Sequence, residues 1–130
     1  VTLAVELVSP ERIIWSGEAE MVIARTTDGE IAFLTGHAPL VGALGIGRVL
    51  IRPESGADVM AAIHGGFVEV SHNRVTILSD VAELATDIDT DRARTALERA
   101  EPAYRADPTP DNEAALRRAQ TRLDVAGTRV

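Results

Sequence analysis

The chain has 130 residues, 45% apolar and 25% charged, with 13 Lys and Arg against 20 Asp and Glu and a formal net charge of −7. These figures fit one ordinary soluble domain or two small ones, and they argue against a nucleic-acid binder, which needs a basic surface. All thirteen strong bases are Arg and there is no Cys, which excludes the phosphate-loop lysine, Schiff-base chemistry, thiol catalysis, disulfides and thiolate zinc sites.

No apolar run approaches the roughly 18–20 residues of a membrane span, and no secretory leader is evident. Any membrane association is therefore expected to run through a partner. The first strand signal is Val1, Leu3, Val5 and Leu7 alternating with Thr2, Ala4 and Glu6, closed by a turn at Ser9-Pro10-Glu11. Glu18 to Thr26 is a second extended run. Thr27-Asp28-Gly29-Glu30 signals a hairpin into Ile31-Ala32-Phe33-Leu34, because Asp-Gly accepts positive φ. Arg48 to Arg52 alternates, Pro53-Glu54-Ser55-Gly56 turns, and Val59 to Ile63 answers it. Phe67 to Val70, Ser71-His72-Asn73-Arg74 and Val75 to Leu78 make one more hairpin, with Gly65-Gly66 read as a strand start and Phe67 as core. Strands are expected throughout 2–83, with no helix longer than two turns.

The composition changes near residue 87. Residues 1–86 hold nine of the ten Gly and all the Phe and Trp, with eleven acids against five bases; residues 87–130 are rich in Ala and Arg, with nine acids against eight Arg. The period changes with it. Ala93, Leu97, Ala100 and Tyr104 form one helical stripe, and Leu116, Ala119, Leu123 and Ala126 another. Thr109 is a fitting N-cap with Pro110 at the first helical position, and Gly127 a fitting stop. The fold class expected is α+β: an antiparallel β-sandwich or flattened barrel over 1–86, then an antiparallel two-helix hairpin over 87–130, with helices at about 90–105 and 111–126. Pro102 should kink or end the first helix. Burying few large side chains, the hairpin should be marginal alone and able to leave its docking site.

Few residues carry a chemical signal. His37, His64 and His72 share no metal-ligand spacing, so no metal site is expected. His37 has no nucleophile or partner base near it in sequence and reads as a turn or contact residue. Trp15 reads as an anchor at the core edge. The tail arginines stand out: Arg92 and Arg99 share one helix face, and Arg118 and Arg122 another. Two readings of them stand: a solvated face paired to Glu98, Glu101 and Asp111, or four guanidinium groups converging on a phosphate-bearing anion.

Along nearly its whole length the chain resembles the epsilon subunits of F-type ATP synthases. The resemblance runs through Val8-Ser9-Pro10-Glu11, Trp15-Ser16-Gly17-Glu18-Ala19, Asp28-Gly29-Glu30-Ile31, Gly36-His37-Ala38-Pro39-Leu40, Ile63-His64-Gly65-Gly66-Phe67-Val68 and Leu78-Ser79-Asp80. In the tail, Ile88-Asp89-Thr90-Asp91-Arg92-Ala93 is similar to the family's nucleotide motif, and Ala115-Leu116-Arg117-Arg118-Ala119 with Arg122-Leu123 to its terminal helix. The order and spacing of these pieces are specific; each alone is weak.

The resemblance implies a non-catalytic rotor subunit that couples proton-driven rotation to ATP synthesis, with a helical tail that regulates ATP hydrolysis. It implies as partners the gamma subunit, the proteolipid rotor ring and, through the C-terminal helices, the catalytic alpha/beta head. The expected location is peripheral, at the cytoplasmic face of a bacterial cell membrane. No cofactor is required; ATP is the regulatory ligand implied, held by Glu83, Ile88, Asp89, Arg92, Arg99, Arg118 and Arg122. Glu30, His37 and Pro39 are the implied subunit contacts, expected together at one end of the sandwich. The rival reading is a non-enzymatic β-sandwich adaptor with a protein-binding helical tail.

Overall fold

The computed structural model describes residues 2–127. Seven strands come first: β1 (Leu3–Val8), β2 (Ile13–Thr26), β3 (Gly29–Leu34), β4 (Leu40–Pro53), β5 (Val59–Ser71), β6 (Arg74–Leu78) and β7 (Ala82–Leu84). A single 3₁₀ turn (Ala85–Asp87) leads into α1 (Thr90–Ala106) and α2 (Pro110–Gly127). The change of period read near residue 87 is thus the change of architecture.

The sheet runs β1-β6-β5-β4-β2-β3, and β1 also pairs with β2, so five strands close on themselves as a flattened barrel. β3 lies beyond β2, and β7 is added to β5. All pairings are antiparallel except β1 with β6, which is parallel. Closure removes open edges, which otherwise invite aggregation, from those five strands, while β3 and β7 each pair on one side. Alternation fills the interior: Leu3, Val5 and Leu7 of β1, Val22 of β2, Phe33 of β3, Val49 and Ile51 of β4, and Val75 and Ile77 of β6 are fully buried. Trp15 packs at the edge of this core, its ring over Gly17.

Three strand readings need correction. β4 begins at Leu40, eight residues before the alternating run, because its glycine-rich first half pairs with β5 from Leu40–Val70 onward. Gly65-Gly66 lies inside β5 and marks where its second edge passes from β7 to β6. Gly66 has φ +129 and backs onto the carbonyl of Leu78, a place where a side chain has no room. Phe67 follows with its side chain turned outward, 60% exposed, opposite Leu78.

Glu30 and His37 do not share a loop cluster. Glu30 is the second residue of β3 and His37 lies three residues past its far end, with roughly 13 Å of extended strand between Glu30 and Leu34 alone. His37 closes a turn back to Leu34, its ring edge-on to Phe33 and hydrogen-bonded through Nδ1 to the Ala38 carbonyl (2.7 Å). Pro39, beside it, is exposed.

A second, smaller core joins the barrel to the hairpin. Met60 and Ala62 of β5, Ala85 and Ile88 of the connection, Ala93 of α1, and Val125 and Ala126 of α2 are buried together, with Leu50 and Leu123 at the margin. Ala100 and Ala119 are buried between the helices' remaining turns. Asp89 caps α1 by accepting from the Arg92 amide (3.1 Å), and Thr109 caps α2 by accepting from the Asn112 amide (3.1 Å). Pro102 neither ends nor divides α1, which continues four residues past it. It sits on the exposed side, and the side-chain amide of Asn112 reaches back from α2 to the carbonyls of Ala103 and Asp107, tying down the helix end.

Candidate functional site

A cleft of about 680 Å³ opens where α1, α2 and the β7 connection meet, lined by Glu83, Asp87, Asp89, Arg92, Arg99 and Arg122 around the small side chains Ala93, Thr95 and Ala96. Its size lies within the range of small-molecule sites. Formal charge balances, three carboxylates against three guanidinium groups, but pairing does not. Arg122 Nε donates to Glu83 Oε1 at 2.6 Å, and Asp89 is engaged by the helix cap. Among the described residues Arg92 and Arg99 make no ion pair. Two uncommitted cations on α1 therefore face a cleft that α2 completes with a third. Such an arrangement suits a multiply charged anion, since charge-assisted Arg contacts are strong and often bidentate.

Glu83 is the hinge of the local electrostatics. Its Oε1 also receives His64 Nε2 at 3.1 Å. Burial, the largest influence, pushes its carboxyl upward, but the Arg122 hydrogen bond and charge, followed by those of His64, outweigh it and hold Glu83 below the usual carboxylate range. His64 is held below the ordinary imidazole range, by burial first and then by Arg122, against the pull of Glu83.

Of the residues expected at a nucleotide site, the structure brings Glu83, Asp89, Arg92, Arg99 and Arg122 to one cleft. Arg118 does not line it, although its charge reaches His64. Ile88 is buried in the docking core and offers packing. None of the arginines pairs with Glu98, Glu101 or Asp111 among the described residues. Asp87 and Thr95 were not singled out by the sequence reading; they join the wall because the 3₁₀ turn and the second turn of α1 face the same opening. On the other side of α2, Glu30 lines a separate recess with Arg25, Arg48 and Arg117, where Arg48 and Asp124 meet at 3.7 Å.

Fold and cleft together define a closed β-sandwich protein carrying a docked helical hairpin, with a polar ligand-sized site at the seam. The model of the ATP synthase Delta/Epsilon chain beta-sandwich domain matches residues 2–85. The ATP synthase epsilon chain of Streptomyces griseus is 45% identical over 98% of this chain and 97% of its own length. That of Thermobifida fusca is 48% identical over 95% and 91%. A chain in the Euglena gracilis mitochondrial ATP synthase OSCP/F1/c-ring structure superposes with a TM-score of 0.81 at 27% identity, covering 96% of this chain and 81% of that one. The chain belongs to the ATP synthase epsilon-chain family: it is a subunit of the enzyme complex and is not itself catalytic.

Proposed function

We propose that the chain works in the central stalk of a proton-translocating F-type ATP synthase, coupling rotation to ATP synthesis, and that its hairpin regulates ATP hydrolysis as a nucleotide-sensing element. The observation that carries the second part is the cleft, in which Arg92 and Arg99 of α1 stand open and Arg122 arrives from α2. A bound ATP would engage both helices at once. Only the compact hairpin presents all three guanidinium groups to one ligand, so binding would favour that form over the form that reaches the catalytic head.

For the barrel we propose contact with the gamma subunit and the proteolipid ring. Support comes from an exposed apolar strip: Phe67 lies directly opposite both Ala43 and Leu78 across neighbouring strands, with Val41 two residues along β4. A contiguous patch of this kind marks a protein interface more often than a bare surface. His37 with Pro39, and Glu30 at the other end of β3, are then two separate contact points. Among the described residues no helix is long and apolar enough to cross a membrane, so attachment at the cytoplasmic face of a bacterial membrane would run through these partners.

Calorimetry with the isolated chain tests the nucleotide reading. ATP should bind, ADP more weakly, and Arg92→Ala should lose at least tenfold in affinity, the loss of about one charge-assisted contact. Equal responses of parent and Arg92→Ala at millimolar ATP would mean that the arginines form only a solvated face.

A further inference from the structure

β5 carries His64 into the seam between barrel and hairpin, where its side chain is only 4% exposed. Its Nε2 lies 3.1 Å from Glu83 Oε1. A carboxylate can only accept, so the ring nitrogen donates. The other nitrogen, Nδ1, is buried and has no hydrogen-bond partner among the described residues. In the neutral ring Nδ1 is a bare acceptor. In the imidazolium it would carry a proton with nothing to receive it, a costlier state to bury.

The charges around the ring point the same way. β7 contributes one anion, Glu83, and α2 contributes two cations, Arg122 and Arg118. β4 offers apolar Ile46 opposite His64. Arg122 already occupies the same carboxylate oxygen. A charged ring would therefore be a third cation around one anion. Both guanidinium groups belong to α2 and leave with it, whereas Glu83 stays beside the ring on the barrel. Undocking thus admits water to Nδ1, removes two repelling charges and keeps the attracting one.

We propose that His64 is a proton-operated latch: one proton taken up on its ring releases α2 from the barrel and converts the compact hairpin to its free form. The docked state binds fewer protons than the undocked state, so docking is complete at high pH and is lost as pH falls below the ordinary imidazole value of about 6.5. Glu83 titrates in a lower range and leaves this window clear. The latch needs no nucleotide, and its failure would leave the nucleotide reading standing.

The chain has no Cys, so Glu54→Cys on the β4–β5 turn and Arg105→Cys near the end of α1 can carry a spin-label pair in the full chain without ATP. The docked distance population should fall between pH 8 and 5.5, with the docking constant dropping by up to about tenfold per pH unit within the window. His64→Gln keeps an amide donor for Glu83 and does not titrate; it should flatten this response. Ring titration by NMR supplies an independent reading. Val125→Arg places a charge in the docking core and should undock α2; the His64 ring should then titrate at higher pH than in the parent. Were the helix to stay docked, the added cation would lower that value, so a rise can come only from undocking. The latch is overturned if the parent stays docked at pH 5.5, or if His64→Gln follows the parent curve. Should His64→Gln not fold, equal ring titrations in parent and Val125→Arg overturn it alone.

Discussion

Replacing Gly66 by Ala should damage the barrel far more than the same change at its neighbour Gly65. A Cβ at Gly66 would fall inside the envelope of the Leu78 carbonyl oxygen and 3.0 Å from the Ser79 Cα. Both obstacles are backbone, held by the Phe67–Leu78 pairing and by Ser79, whose buried hydroxyl donates toward the Gly65 and Val81 carbonyls. Neither can swing aside. The φ of +129 adds conformational strain, about 1–3 kcal/mol for a residue with a side chain, and forcing β5 from β6 adds about as much again. A loss of about 2–6 kcal/mol follows, or roughly 8–24 °C in Tm for a chain of this length. Gly65, at φ +88 but facing open space, should lose only the strain, about 1–2 kcal/mol. Urea unfolding followed by Trp15 reads the barrel, since that ring packs on its core and is the chain's only Trp. If Gly66→Ala proves no worse than Gly65→Ala, the steric reasoning fails.

Pro102→Ala restores a helix amide and should stabilise α1 by about 1–3 kcal/mol, seen as slower hydrogen exchange across Thr90–Ala106 with the barrel unchanged; unaltered exchange would mean that Pro102 already costs nothing there. Glu83 has its folded value below the ordinary 4.5, so the stability it contributes is present above about that pH and lost as pH falls through the folded value. Hairpin docking should therefore weaken further as the parent is acidified below that value. Glu83→Gln should abolish that acid limb and weaken docking at neutral pH by about 1–3 kcal/mol, as Arg122 loses its charged partner. Label distances or amide exchange across α2 would show it, and an acid limb preserved in Glu83→Gln would refute it.

What was legible in the sequence was whatever local periodicity or capping writes there. The hairpin's limits were plain because Ala stripes and Thr109-Pro110 are local signals. The barrel's turns were plain because Asp28-Gly29 accepts positive φ and because Ser71-His72-Asn73-Arg74 stands between two alternating runs; Gly29, His72 and Asn73 all have positive φ. The first half of β4 was hidden, since glycines blur alternation and only pairing with β5 makes it a strand. Phe67 misled because its exposure is set by which face a partner covers, not by its own hydrophobicity. The His64–Glu83–Arg122 chain is non-local, spanning 19 and then 39 residues. The family resemblance flagged Glu83 and Arg122, but nothing in the residues announced that a buried imidazole joined them.

The alanines at the helix seam have a consequence for motion. Ala93 and Ala100 of α1 and Ala119 and Ala126 of α2 are buried, and the docking core adds Ala62 and Ala85. Alanine has no rotamers to freeze, whereas burying a Met, Gln or Arg costs up to about 2 kcal/mol of side-chain freedom. In the proposed release and return, the hairpin would therefore move almost as a rigid body. Beyond Met60, Ile88, Val125 and Leu123 of the docking core, few side chains would be reordered on arrival, which favours fast exchange in the proposed release. A surface built this way trades tightness of grip for speed of reversal, which suits the regulatory release proposed above.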